Sequence, residues 1–294
     1  MALRIDSDKV SFLTDKDGTH ILFTAETSHD GRCIKDVLRQ DLSLSVTLIK
    51  KVKYGGVRIN GTAITMRATV LCGDRISVTL PNGESENIPP VEHPLRIAYE
   101  DEHILVVDKP ENMPVHPSRG NSLVTLANAV MAYLGESTVF RAVNRLDRDT
   151  SGLVVIAKNQ YAAGLLSEEM KAGGFEKYYT AILSSVPKIK KGRVDAPIAR
   201  KEEGEMLRVV RDDGKRAITD YEVEEILEDG KCRVALRLHT GRTHQIRVHM
   251  AYIGTPLYAD FLYGERVEGE SYSLRASRIA FTHPISGERM DIRI

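Results

Sequence analysis

The 294-residue chain has no tryptophan, only three cysteines and no net charge, with 41 Lys and Arg against 41 Asp and Glu. Cys33, Cys72 and Cys232 are far apart and form no Cys-x-x-Cys pair, so neither a zinc site nor a disulfide framework is indicated. Reduced thiols in a cytoplasmic protein are the expectation. A balanced charge gives no global basic field, so any nucleic-acid partner must be held by a local patch. No apolar stretch approaches membrane-spanning length, and the N-terminus lacks the apolar core of a signal peptide. There is no repeat, no low-complexity segment and no Gly-rich phosphate-cradling motif. What is present is ordinary for a soluble globular protein, 42% apolar and 28% charged. The length allows one large domain or two unequal ones.

A local basic excess lies near the N-terminus. Residues 31–75 carry nine Lys and Arg (Arg32, Lys35, Arg39, Lys50, Lys51, Lys53, Arg58, Arg67, Arg75) against Asp36, Asp41 and Asp74, a surplus of nine minus three, or six. A charge run is usually only a solvated face, but an asymmetry of this kind is also the footprint of a phosphate-binding module. Before it, residues 1–30 are polar, with a short strand expected around Ile21-Leu22-Phe23. Ile34, Val37 and Leu38 recur at helical spacing. Ser45 is placed to cap a second helix carrying Val46, Ile49 and Val52, which stops at Gly55-Gly56. Val57-Arg58-Ile59 then runs into Asn60-Gly61, a strong hairpin signal. Residues 81–93 are rich in proline, glycine and acidic side chains, and read as a linker.

The stretch Asn144-Arg145-Leu146-Asp147-Arg148-Asp149-Thr150-Ser151-Gly152 packs two carboxylates and two guanidiniums into residues 145–149. The apolar run Leu153-Val154-Val155-Ile156-Ala157 follows and reads as a buried strand. The charges therefore sit on a loop at the mouth of a core strand, a rigid place from which to present a catalytic group. On spacing alone, a solvated loop with weak ion pairs is the commoner outcome. Upstream, Ile104-Leu105-Val106-Val107 is another buried-strand run, followed by Asp108-Lys109-Pro110 and Met113-Pro114-Val115-His116-Pro117. Leu123, Leu126, Ala127 and Val130 give a helix ending near Gly135, and a further helix spans 160–171. Lys177-Tyr178-Tyr179-Thr180-Ala181 follows on a strand, where a tyrosine is commonly just an amphipathic core residue. Residues 187–215 read as loops and an exposed hairpin. Ala217, Thr219, Tyr221 and Val223, then Val234, Leu236 and Leu238, alternate as two strands. Thr243 is placed to cap a helix carrying Ile246, Met250 and Ile253, closed by Gly254. His239, His244 and His249 are five apart, so no single helix or strand presents them together, and no metal site is expected.

Taken together, these segments resemble the RluA-type pseudouridine synthases. The 144–152 stretch resembles the family's active-site motif His-Arg-Leu-Asp-x-x-Thr-Ser-Gly. The 106–117 segment, the Lys-x-Tyr-x-Ala strand and Thr240-Gly241-Arg242-Thr243-His244-Gln245-Ile246-Arg247-Val248-His249-Met250 resemble further family segments. Residues 31–80 are similar to the alpha-L RNA-binding domain of a small-subunit ribosomal protein. The resemblance implies an α+β (mixed α/β) fold in three parts. They are an N-terminal region 1–80 with its RNA-binding core at 31–80, a linker 81–93, and a catalytic domain 94–294 on a mostly antiparallel mixed sheet. It implies isomerisation of uridine to pseudouridine in rRNA or tRNA, with the target base flipped out. No group is lost and no redox change occurs, so neither cofactor nor metal is called for. Asp147 becomes the catalytic aspartate, Arg247 the arginine that pairs with it, and Tyr179 the ring that packs on the base and helps remove its carbon 5 proton. Arg145 enters the RNA where the base was. Lys50, Lys51, Lys53 and Arg58 are expected to bind RNA phosphates, and a monomer is expected.

Three departures stand out: Asn144 and Arg275 where His is usual, and Tyr258-Ala259-Asp260 where Leu-Gly-Asp is common. The competing readings are a non-catalytic RNA-binding protein with a degenerate synthase domain and a glycoside hydrolase built on Asp147. The first is disfavoured by the intact Asp147, Tyr179 and Arg247. The second needs paired carboxyls, and usually aromatics, around the sugar.

Overall fold

The computed structural model describes residues 9–15, 18–81, 88–117, 124–135 and 139–294. Alternating apolar residues build its first sheet. Strands β1 (Val10–Asp15), β2 (Gly18–Thr24), β3 (Val57–Ile59), β4 (Thr62–Ala63) and β5 (Arg75–Pro81) pair in the order β1-β2-β5-β3-β4. Ile21 and Phe23 of β2 and Ile76, Val78 and Leu80 of β5 face one side, where helices α1 (Ile34–Gln40) and α2 (Val46–Val52) pack. The Ser45 side chain caps α2 as expected, accepting from Leu48 N–H at 3.2 Å. Leu48 rather than Val46 completes the buried stripe of α2, and Val46 is exposed. Asn60 and Gly61 both take positive φ (52° and 82°), the conformation that a two-residue hairpin matched to strand twist requires. Where one short strand was expected before residue 30, two form.

The second sheet is nine-stranded and mixed. Its strands are β6 (Ile97–Glu100), β7 (Ile104–Lys109), β8 (Ser151–Ala157), β9 (Glu176–Leu183), β10 (Lys191–Asp195), β13 (Ile218–Ile226), β14 (Cys232–Leu238), β15 (Leu274–Thr282) and β16 (Arg289–Arg293). The order is β10-β13-β14-β9-β15-β8-β7-β6, with β16 on the far half of β15. Pairings are antiparallel except between β8 and β15, where Arg275 and Ala276 lie beside Ser151 and Gly152. A small hairpin, β11 (Ile198–Arg200) and β12 (Arg208–Val210), lies beside it.

Side chains of β7 and β8 are buried on both faces, which explains their unbroken apolar runs. On one face Leu105, Val107, Val154 and Ile156 join Tyr179, Ala181, Leu236 and Leu238. Helices α3 (Leu126–Leu134) and α5 (Gln245–Tyr252) cover that layer. On the other, Ile104, Val106, Leu153 and Val155 pack under α4 (Gln160–Ala172) with Phe175 and Phe281.

The outer side of α4 meets the first unit. Tyr161, Leu165 and Ile285 belong to the same buried cluster as the N-terminal apolar residues. The Tyr161 hydroxyl donates to Leu42 O at 2.6 Å, and Phe12 stacks on the Tyr161 ring. Of the stretch read as a linker, residues 82–87 lie outside the described residues. Residues 88–93 run along α3, with Val91 N–H donating to Asn128 O and the Asn128 amide to Pro89 O. Leu123, expected at the start of α3, also lies outside them.

Candidate active site

The loop before β8 is fixed from both sides. Asn144 is buried, and its side chain acts as a piece of strand backbone, with Oδ1 accepting from Val155 N–H (2.9 Å) and Nδ2 donating to Leu153 O (3.1 Å). The amide thus has a structural occupation that accounts for it at this position. Leu146 is buried in the core, while its neighbours Arg145 and Asp147 open into a cleft of about 630 Å³. At the far end of the loop, the ideal Cβ of a residue replacing Gly152 would lie 2.3 Å from Ala276 O and 2.6 Å from Ala276 N, and φ is +111°. Glycine is therefore what lets β8 close on β15 directly behind Asp147.

Lys109, fully buried, ties this loop to the preceding one. Its ammonium donates to Pro110 O (2.8 Å), Met113 O (2.7 Å) and Arg148 O (3.0 Å). Burial pulls its pKa down to about 8, against the opposing charges of Asp149, Asp147 and Glu111. Arg148 itself is paired with Asp149 at 2.7 Å.

Three separated segments meet in the cleft. Asp147 and Arg145 come from the loop, Tyr179 from β9 and Arg247 from α5. Tyr179 is buried, and burial followed by the Asp147 charge raises its pKa, so the phenol stays protonated at neutral pH. Helix α5 begins differently from the expected Thr243 cap. His244 takes a left-handed φ of 58° as the N-cap residue and gives no side-chain cap bond. Gln245 holds the turn instead, its Oε1 accepting from Thr240 Oγ1 (2.8 Å) and Arg242 N–H (3.0 Å), its Nε2 donating to Ile218 O (3.0 Å). A buried amide with both ends satisfied outcompetes a surface hydroxyl as the organiser of this turn.

Arg247 is 2% exposed and bound fork-to-fork by Asp260, at 2.7 and 2.6 Å. The expected direct pair with Asp147 is thus replaced by Asp260, because a buried guanidinium needs a buried carboxylate with matching geometry. Burial opposes the charge on Arg247, but the Asp260 fork outweighs it and the pKa rises; the Asp147 charge adds to this through space. Tyr272, Tyr263 and Phe261 surround the guanidinium, its carbon lying 4.3, 5.0 and 5.7 Å from their ring centroids. Ala259, just before Asp260, has φ +57°, a region where alanine is strained and the glycine usual in the resembling family is not. Arg275, the other departure, donates to Asp108 at 3.0 Å.

Lys50, Lys51, Lys53 and Arg58 do not line the cleft. They lie exposed on the first unit, at the end of α2 and on β3. Lys51 Nζ donates to Gln160 of α4, Lys53 lies over the Tyr54 ring and Arg58 donates to Gly61 O. Each histidine of the 239–249 series has its own partner: Asp220 for His239, Tyr263 for His244, Thr219 and Ala196 O for His249. Sequence reasoning did not single out Lys109, Asp260 or Tyr272. Lys109 and Asp260 lay within noted segments, Asp108-Lys109-Pro110 and Tyr258-Ala259-Asp260, but neither was given a role, and Tyr272 had no signal at all.

A family model described as RNA pseudouridylate synthase matches residues 103–252. An uncharacterised RNA pseudouridine synthase of Bacillus subtilis, YjbO, is 38% identical over 257 residues, covering 85% of this chain and 90% of the relative. The ribosomal large subunit pseudouridine synthase D of Xanthomonas campestris is 34% identical over 255 residues, covering 81% of this chain and 76% of that protein. Among solved structures, human RNA pseudouridylate synthase domain containing 1 superposes with a TM-score of 0.59 at 27% identity, over 70% of this chain and 85% of that one. Matched in this way along most of its length, and folded like a member, the chain belongs to the RluA-type RNA pseudouridine synthases, isomerases that act on RNA.

Proposed function

We propose that this synthase acts in the cytoplasm on ribosomal RNA, with Asp147 as its essential carboxylate. The observation that carries this reading is the meeting of Asp147, Arg145, Tyr179 and Arg247 in one cleft from three distant segments. Ribosomal RNA is favoured over transfer RNA by the name of the large-subunit relative.

The chemistry asks for few groups. The glycosidic bond from N1 breaks, the uracil turns, a bond forms from carbon 5 to the sugar, and the proton lost from carbon 5 is balanced by one gained at N1. Asp147 acts on the sugar as nucleophile or base. Tyr179, held protonated, packs on the base. Arg247, fixed by Asp260 and its aromatic surround, presents a steady positive field toward the Asp147 carboxylate. Arg145, exposed and two residues from Asp147, fills the gap left by the extruded base, where a long planar cation can stack. Residues 94–294 supply this chemistry, and the basic unit at 31–80 supplies RNA affinity.

The test is turnover on two RNAs carrying the same target uridine, a folded stem-loop and a short unstructured strand. Asp147→Asn should abolish pseudouridine formation on both, because the isosteric amide is neither nucleophile nor base. Activity within about tenfold of wild type, about 1.4 kcal/mol of barrier, would remove Asp147 from the centre of the mechanism. Arg145→Ala should lose far more on the stem-loop; equal losses on both RNAs would leave Arg145 only shaping the loop.

A further inference from the structure

We propose that Lys177 and Arg242 form a phosphate site at one end of the cleft, which takes an RNA phosphodiester next to the flipped uridine and so sets the direction in which the nucleotide lies. The inference rests on the reading of the cleft as the uridine site.

Lys177 and Tyr179 are two residues apart on β9, so both side chains leave the same face of the sheet, about 7 Å apart along the strand. Both line the cleft. The Lys177 ammonium lies against the 240–245 turn, its Nζ 3.4 Å from where a Cβ on Gly241 would sit. That turn is the one Gln245 holds rigid, and it carries Arg242. The Arg242 Nε donates to Arg216 O at 3.0 Å, which fixes the root of an otherwise exposed guanidinium.

Of the other cations around Asp147, Arg145 is assigned to the gap left by the base and three are already occupied. Arg247 is taken by Asp260, Arg148 by Asp149, and Lys109 by three carbonyls. Among the described residues, neither Lys177 nor Arg242 has a carboxylate within ion-pair distance. Burial, and then the neighbouring Arg242 charge, pulls the pKa of Lys177 down. Two like charges brought together with one of them largely desolvated are unfavourable for the free protein, and an anion between them relieves both effects. A phosphodiester suits the pair, since guanidinium binds two phosphate oxygens at once and ammonium supplies a compact charge. The Asp147 carboxylate repels an anion from its own part of the cleft. A nucleotide therefore settles with its base on Tyr179, its sugar toward Asp147 and a phosphate at Lys177 and Arg242.

The experiment compares wild type with Lys177→Met and the double variant Lys177→Met, Arg242→Gln, without needing the natural target. Thermal unfolding is followed with and without inorganic phosphate, chloride being adjusted to hold ionic strength constant. Binding of polyuridylate is measured across salt concentrations. Lys177→Met should unfold at the same temperature as wild type or higher, and should lose the stabilisation that phosphate gives wild type. The slope of log affinity against log salt should flatten by about 0.7 per lost contact on a single strand, so by about twice that in the double variant. A variant that unfolds earlier and keeps the phosphate effect would make Lys177 a structural residue and overturn the proposal. Phosphate protection with an unchanged salt slope would mean a site for free phosphate, and would overturn the RNA assignment. Failure of the ribosomal RNA reading would appear separately, as wild-type protein that binds polyuridylate yet modifies no ribosomal transcript.

Discussion

The ammonium of Lys109 has three N–H groups to give, and three backbone carbonyls receive them. Neutral lysine has only two, so deprotonation must leave one of the three carbonyls without its donor and weaken the tie between the two loops. Because burial lowers its pKa from 10.5 to about 8, the folded chain binds fewer protons at this group than the unfolded chain between those values. Its contribution to stability therefore rises, not falls, as pH climbs from 8 to 10.5. Activity should do the opposite, declining through an alkaline limb centred near pH 8 as the Asp147 loop loosens. Lys109→Arg keeps a charged donor at every accessible pH and should move that limb upward; a limb unmoved in this variant would belong to another group. At this scale the sequence is informative where motifs are contiguous. Asp147, Arg145, Tyr179 and Arg247 could be picked from their neighbours, and all four line one cleft. The role of Asp260 could not, even though Tyr258-Ala259-Asp260 was noted, because nothing local to residue 260 tells that a guanidinium from α5 arrives there. The Tyr272 ring over Arg247 is a long-range contact of the same kind.

Strand β8 shows how closely an element can depend on one position. A methyl group at residue 152 would meet three backbone atoms of Ala276 within 2.8 Å, none of them free to swing away, at a φ that alanine avoids. Gly152→Ala should destabilise the protein by about 2–4 kcal/mol, from overpacking and backbone strain together. The midpoint of denaturant unfolding measures this, and a shift worth under about 0.5 kcal/mol, ordinary for a surface change, would show that β8 and β15 separate easily. Elements were legible where local chemistry and packing agree. Ser45 caps α2, Asn60-Gly61 turns the hairpin, and the apolar runs at 104–107 and 153–157 are strands buried on both faces. Local signal failed at α5, where the Thr243 cap is displaced by a glutamine that reaches Ile218 and Thr219 on another strand. It also failed at the N-terminus, where β1 is ordered by pairing with β2 more than by any pattern of its own.

At the scale of the whole molecule, the basic surface and the cleft sit on different units joined through α4. If the exposed lysines of α2 meet RNA phosphates, Lys50→Gln with Lys53→Gln should weaken binding and flatten the salt dependence, by about 1.4 in the slope for two single-strand contacts. Turnover at saturating RNA should stay near wild type, because neither residue lines the cleft. An unchanged slope would place the phosphate path elsewhere. The mixed architecture and the surplus of positive charge were readable in the sequence. The shared core was not, because Tyr161, Leu165 and Ile285 look like members of their own half until the fold brings them against the other. That sharing also bears on how the protein is made. A chain leaving the ribosome at about 5–20 residues per second completes every strand of the first sheet well before the side chains that seal it. The apolar patch later covered by α4 and Ile285 stays open in the interval. The two halves thus mature together during synthesis, and a product broken off before α4 would present that patch as a mark of incompleteness.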